Sequence, residues 1–235
     1  MGARRWNLPY RQYMGVGSVL GDLLPLALGV AVSPVPVIAV ILMLFGPKAG
    51  STSFGFLGGW VAGIVLAVTA FALIAGTAGM GTSAEPSAMA SWFKLLLGVL
   101  LLYLAWQQWR SRDEPVLPKW MSAIDTMTLG KGAGLGFLLS AVNPKNLAMC
   151  AAAGTIIGAG GLSGGQNVLT VAIFTVLAAL TVAVPVIGYA VAQDKMRGPL
   201  DRLKGWLEAN NATVMAMLLL FLGVVLLGKG FGGLV

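Results

Sequence analysis

Leu135-Gly-Phe-Leu-Leu-Ser140-Ala-Val142-Asn143-Pro144-Lys145-Asn146 sets a proline and a lysine, flanked by two asparagines, inside an otherwise apolar run. The run extends over about 132–158, and Lys145 is its only charge, near its middle. On insertion scales a lysine at the centre of a membrane helix costs about 2.5–3.5 kcal/mol. Proline removes one backbone N–H and excludes the carbonyl four residues earlier from its helical bond. Two placements satisfy these groups: an interface, with Lys145 snorkelling to headgroups, or a polar cavity within the protein. The central position of Lys145 favours the cavity.

A related interruption occurs earlier. Leu28-Gly-Val-Ala-Val-Ser33-Pro34-Val35-Pro36 shares Leu, Gly, Ser and Val with the later stretch at a constant offset of 107 residues. Four matches in apolar sequence are weak alone, but they fall at the break of the corresponding helix in each half. At bilayer depth a freed backbone group is tolerated only where it is buried in protein or lines a wet cavity. Paired interrupted helices in the two halves of a chain are the best sequence pointer to a transporter site. Their half-helix ends offer N–H groups to an anion and C=O groups to a cation.

Composition sets the solvent. Apolar residues make up 57% of the 235, charged residues only 10%, and the mean hydropathy is +0.87. A soluble domain carries about a quarter charged residues. Such a chain is an integral membrane protein, and it is far too apolar to be disordered. The absence of His excludes Ser-His-Asp and Cys-His catalysis and His-ligated metals, and the lone Cys150 excludes an internal disulfide. No cofactor is expected.

With about 20 apolar residues per span, six spans are read: 23–45, the first two-thirds of 54–84, 91–109, 132–158, 167–191 and 209–228. The expected fold is all-α, with six transmembrane helices in two inverted-topology three-helix repeats, each opening on a broken helix. The division is a tail (1–21), repeat one (22–109), a connector with an interfacial segment (110–131) and repeat two (132–235). A Pro-induced kink is expected at Pro185. A cleavable signal peptide fits poorly, because the first apolar stretch is too long and lies behind a 22-residue tail.

Lys48, Arg110, Arg112, Lys119, Lys131, Lys195, Arg197, Arg202 and Lys204 fall on one side of this arrangement. Arg4, Arg5, Arg11, Lys94 and Lys229 fall on the other. Nine against five puts the long loops, 110–131 and 194–208, in the cytoplasm and both termini outside. The net charge of +7 is then a topology signal. The basic residues are scattered and carry no recognition motif, so nucleic acid is not an expected partner. Gly59-Trp-Val-Ala-Gly63, Gly132-Ala-Gly-Leu-Gly136 and Gly154-Thr-Ile-Ile-Gly158 allow close helix approach, either inside the bundle or in a homodimer.

On Ser33-Pro-Val-Pro36, Asn143-Pro-Lys-Asn146 and the six inverted spans, the chain resembles the LysE-type transporter superfamily. Within it the chain is similar to the Gap/Sap branch of peptidoglycolipid and sulfolipid addressing proteins. The likeness runs from Gly21 onward and includes Pro118-Lys-Trp-Met121 ahead of Asp125. It implies a bacterial plasma-membrane exporter that moves glycolipids or their precursors.

The residues constrain the substrate. Hard cations need oxygen ligands, and only Asp22 and Asp125 lie near the spans, so a divalent-metal transporter is disfavoured. Lys145 and the half-helix dipoles suit an anionic or zwitterionic substrate, a lipid head group or an amino-acid carboxylate. The candidate binding residues are Ser33, Pro34, Pro36, Asn143, Pro144, Lys145 and Asn146. Asp22, Asp125 and Lys145 are candidates for ion coupling; the alternatives are a helix cap for Asp22 and a solvated face for Asp125. Two other readings remain. One is an intramembrane lipid-modifying enzyme, with Ser33, Ser140 or Cys150 as nucleophile and Lys145 as base. The other is a scaffold that recruits lipid-export machinery through the basic loops.

Overall fold

A computed structural model describes residues 15–77, 88–112, 124 and 126–233. The tail before residue 15, most of the connector and the coupling candidate Asp125 lie outside the described residues. The described chain is all helical. In order it forms α1 (Val16–Ala31), α2 (Pro34–Phe45), α3 (Ala49–Thr77), α4 (Ala88–Arg110), α5 (Leu129–Phe137), α6 (Pro144–Ala159), α7 (Gly164–Val191) and α8 (Gln193–Phe231). Three of these, α3, α7 and α8, are long and apolar enough to cross a membrane, and a fourth span results if α1 and α2 are one bent helix.

Both breaks are made by a residue–proline pair. The residue before a proline is driven out of the α region by the pyrrolidine ring. Ser33 accordingly has ψ 105° and Asn143 ψ 121°, and Pro34 and Pro144 each open the next helix. The helical axis turns by 53° between α1 and α2. Between α5 and α6 the chain first widens into a π-turn, Leu138–Val142, which ends with the Asn143 N–H on Leu138 O at 3.2 Å. The N-cap residues at the two breaks are Ser33 and Asn143, an offset of 110 residues. The repeated letters at an offset of 107 are therefore three residues out of step with the breaks they flank.

α2 is apolar on all sides and sits inside, with Val37–Ile41, Met43 and Leu44 buried, as expected of a helix without a polar face. α3 packs along α5 and α6, α4 along α8, and α1 along α7. The α3 contact is the tightest. A methyl group at Gly59 would overlap the Ala133 carbonyl of α5, and one at Gly136 would overlap the Phe56 carbonyl of α3. Gly154 and Gly158 of α6 lie as closely on Val68 and Ala72. The small-residue spacings are thus used for packing inside this chain. The outer faces carry the large apolar side chains, including Leu96, Leu100, Tyr103 and Trp106 of α4.

One expectation needs correction. The stretch 194–208 is not a loop: it forms the first turns of α8, a continuous helix of 39 residues. Met196, Leu200, Leu203 and Leu207 recur at helical spacing there, so the segment is amphipathic, with Lys195, Arg197, Arg202 and Lys204 on its other faces. Pro185 lies within an unbroken α7, and Pro199 within α8.

Candidate functional site

The two breaks meet. Lys145, in the first turn of α6, is 5% exposed, and its Nζ donates a 2.6 Å hydrogen bond to Ser33 Oγ at the α1–α2 break. Ser33 occupies the N-cap position of α2 but gives its side chain no capping role; the hydroxyl serves Lys145 instead. Asn143 does cap its helix, accepting from the Lys145 N–H at 3.0 Å. That bond fixes the first turn of α6 and with it the direction in which the lysine leaves the backbone. Asn146 is fully buried; its Nδ2 donates to Leu139 O in the π-turn at 2.9 Å, and its Oδ1 has no partner among the described residues.

An ammonium has three donors, and one hydrogen bond is found for Lys145. The only ion pair among the described residues lies elsewhere, between Lys229 and Asp22 at 2.8 Å, with both side chains more than 40% exposed. Lys145 is therefore a buried amine with spare donors and no carboxylate partner among the described residues, and its charged form costs free energy there unless an anion balances it.

The backbone at the break is only partly satisfied from within. The Ser33 N–H turns back to Ala31 O at 2.8 Å, and Thr181 Oγ1 of α7 donates to the same carbonyl at 2.5 Å. Of the first three residues of α2, only Val35 has an N–H, because Pro34 and Pro36 have none. Few backbone N–H groups are thus left to offer at the start of α2.

A cavity of about 480 Å³ opens beside Ser33. Its wall is formed by Val32 and Val37 at the break, by Leu180 and Val184 of α7, and by the apolar stripe of α8. The lining is almost wholly apolar. Ser33 joins the two regions, bordering the cavity with its residue and holding Lys145 with its hydroxyl.

Of the residues singled out from sequence, Ser33, Pro34, Asn143, Pro144, Lys145 and Asn146 are brought to this junction, and Pro36 follows in the buried first turn of α2. Asp22 is not a helix cap; it lies within α1 and faces Lys229. Ser140 donates to Phe137 O at 3.0 Å and packs against Gly63, while Cys150 is fully buried in the core. Sequence reasoning missed Thr181 and the α8 stripe. The stripe is visible in the sequence as a 3.6-residue period, although the charges around it suggest a loop.

No metal-binding group of His, Cys, Asp and Glu is found among the described residues. No match was found among curated proteins or among solved structures. The family model of Sap, sulfolipid-1-addressing protein, matches residues 23–232, which takes in both breaks, the buried lysine and the cavity. By that match the chain belongs to the sulfolipid-1-addressing protein family.

Proposed function

We propose that the chain is an exporter of the bacterial plasma membrane that moves an anionic or zwitterionic glycolipid or lipid precursor by alternating access. The observation that carries this reading is Lys145, enclosed where two broken helices meet, hydrogen-bonded to Ser33 and without a carboxylate partner among the described residues. Family membership supports a role in lipid export or addressing. In this reading six spans form two inverted halves: the α1–α2 pair, α3 and α4, then the α5–α6 pair, α7 and α8. The packing is consistent with that exchange, since the first broken helix lies on α7 as the second lies on α3, and α4 faces α8. The likeness to LysE-type transporters belongs to the same proposal, as do the cytoplasmic placement of the basic segments and an external placement of both termini.

Transport would proceed with the anionic head displacing or joining Ser33 at Lys145, while the two half-helices shift between inward and outward access. The test is translocation of a labelled anionic lipid by the full chain in proteoliposomes. Lys145→Ala and Asn143→Ala should abolish it or reduce it severely, and undiminished transport by both variants would reject the site.

A second reading is favoured by the same bond. A serine hydroxyl 2.6 Å from a lysine amine is the spacing of a Ser–Lys nucleophile pair. In a lipid-modifying enzyme of this kind, Ser33→Ala would abolish lipid turnover measured by mass spectrometry. In the transporter no turnover occurs, and Ser33→Ala weakens translocation without a covalent product.

A further inference from the structure

The cavity beside Ser33 is the wrong chemistry for a polar solute and the right one for part of an amphiphile. Its size falls within the range of about 300–1,000 Å³ typical of small-molecule sites, at about 480 Å³. Its polar lining residues are Ser33, whose hydroxyl accepts from the amine of Lys145 behind the wall, and Thr181, whose hydroxyl is already committed to Ala31 O. The rest of the wall is hydrocarbon. On the α7 side it is formed by Leu180 and Val184, which are 43% and 57% exposed and so mark a lateral opening at the surface of the bundle. On the α8 side it is formed by the apolar stripe, with Leu200 and Leu207 buried and Leu203 at the rim.

We infer that this cavity is a chain slot: it takes a hydrocarbon tail of the lipid whose anionic head meets Lys145, admitted sideways between α7 and the amphipathic start of α8. The inference rests on the proposed head-group role of Lys145. Several features together identify the occupant. A cation and an apolar cavity are joined through one residue, so a ligand that fills both must be amphiphilic. The opening lies on a bundle face rich in exposed leucine and valine, so the tail can arrive from bilayer rather than from water. The α8 segment turns its apolar stripe to the cavity while its lysines and arginines remain outside, which suits a wall lying at the headgroup boundary. A soluble amino acid would use the cation and leave the slot empty.

The test uses the full chain in phosphatidylcholine vesicles containing phosphatidic acid with a diazirine near the end of one acyl chain. Photo-adducts are mapped by mass spectrometry, with unlabelled phosphatidic acid as competitor. Adducts should concentrate on Val184, Leu203 and Leu207, be competed away, and fall to the background of the exposed face of α3 in Leu180→Trp and Val184→Trp. These two positions are on the rim, where a larger side chain can occupy the slot without entering the core. Adducts spread evenly over the exposed apolar faces, or unchanged in both tryptophan variants, would overturn the chain slot. Lys145→Ala separates the two ideas. Reduced slot adducts in that variant support both, whereas slot adducts that persist at full yield uphold the slot and reject the head-group role of Lys145.

Discussion

Lys145 carries the account at the scale of a single residue. A buried amine with one hydrogen bond and no balancing acid costs stability, and replacing such a group with an apolar one of similar shape is often neutral or stabilising. Lys145→Met is therefore expected to leave the melting temperature of the purified protein unchanged or raised, while lipid translocation falls by at least about tenfold, a loss of roughly 1.4 kcal/mol in substrate stabilisation. A purely structural lysine would show the reverse, with stability lost and transport following it. Ser33→Ala removes the one partner of that amine and should cost about 1–3 kcal/mol, the penalty for a buried donor left unsatisfied, measurable by thermal unfolding in detergent. Asn143→Ala removes a helix cap and should cost about 0.5–2 kcal/mol. Lysine, serine and asparagine were all legible in the sequence, because each is conspicuous in hydrocarbon. That Ser33 and Lys145 touch was not legible, since 112 residues separate them and nothing local fixes the distance between the two breaks.

At the scale of elements, backbone rules explain what was readable. Residue–proline pairs broke the helices where expected, and the glycine spacings marked close packing without naming the partner. The structure supplies it: α3 lies against α5 and α6 through glycine on both sides. Gly59→Ala should lower thermal stability by about 1–3 kcal/mol, the usual cost of overpacking a tight contact. Gly58→Ala, at a position with open space around it, should leave stability unchanged. The repeated letters lie three residues out of step with the two breaks, because in apolar sequence Leu, Gly, Ser and Val coincide readily, whereas the proline sets the break. The charges of segment 194–208 suggest a loop, whereas its 3.6-residue apolar period specifies the helix that forms. Its helical stripe forms a wall of the cavity and packs on the core.

For the whole molecule, composition alone was enough to assign a membrane, since charged residues at 10% cannot cover a soluble globule of this length. The number of spans is a harder question, because a broken helix offers two short pieces to any test of length. The proposed sidedness rests on the lysine and arginine distribution and has a direct check. Lys204 and Lys229 lie 25 residues apart on α8, about 38 Å at 1.5 Å per residue, enough to separate the two faces of a bilayer core of about 30 Å. Cys150 is fully buried, so an impermeant maleimide should leave the native chain unlabelled. In oriented vesicles Lys204→Cys should label only from the cytoplasmic side and Lys229→Cys only from outside. Labelling of both from one side would remove the assigned topology.

In the proposed function, the junction of the two breaks receives the charged head of a lipid. Density maps of the full chain extracted with its native lipids, without detergent, address it most directly. Head-group density is expected within hydrogen-bonding distance of Lys145 Nζ, continuous with a tail in the cavity between α7 and α8. A map that pairs Lys145 with a carboxylate of the protein itself, with no lipid at the junction, would contradict it.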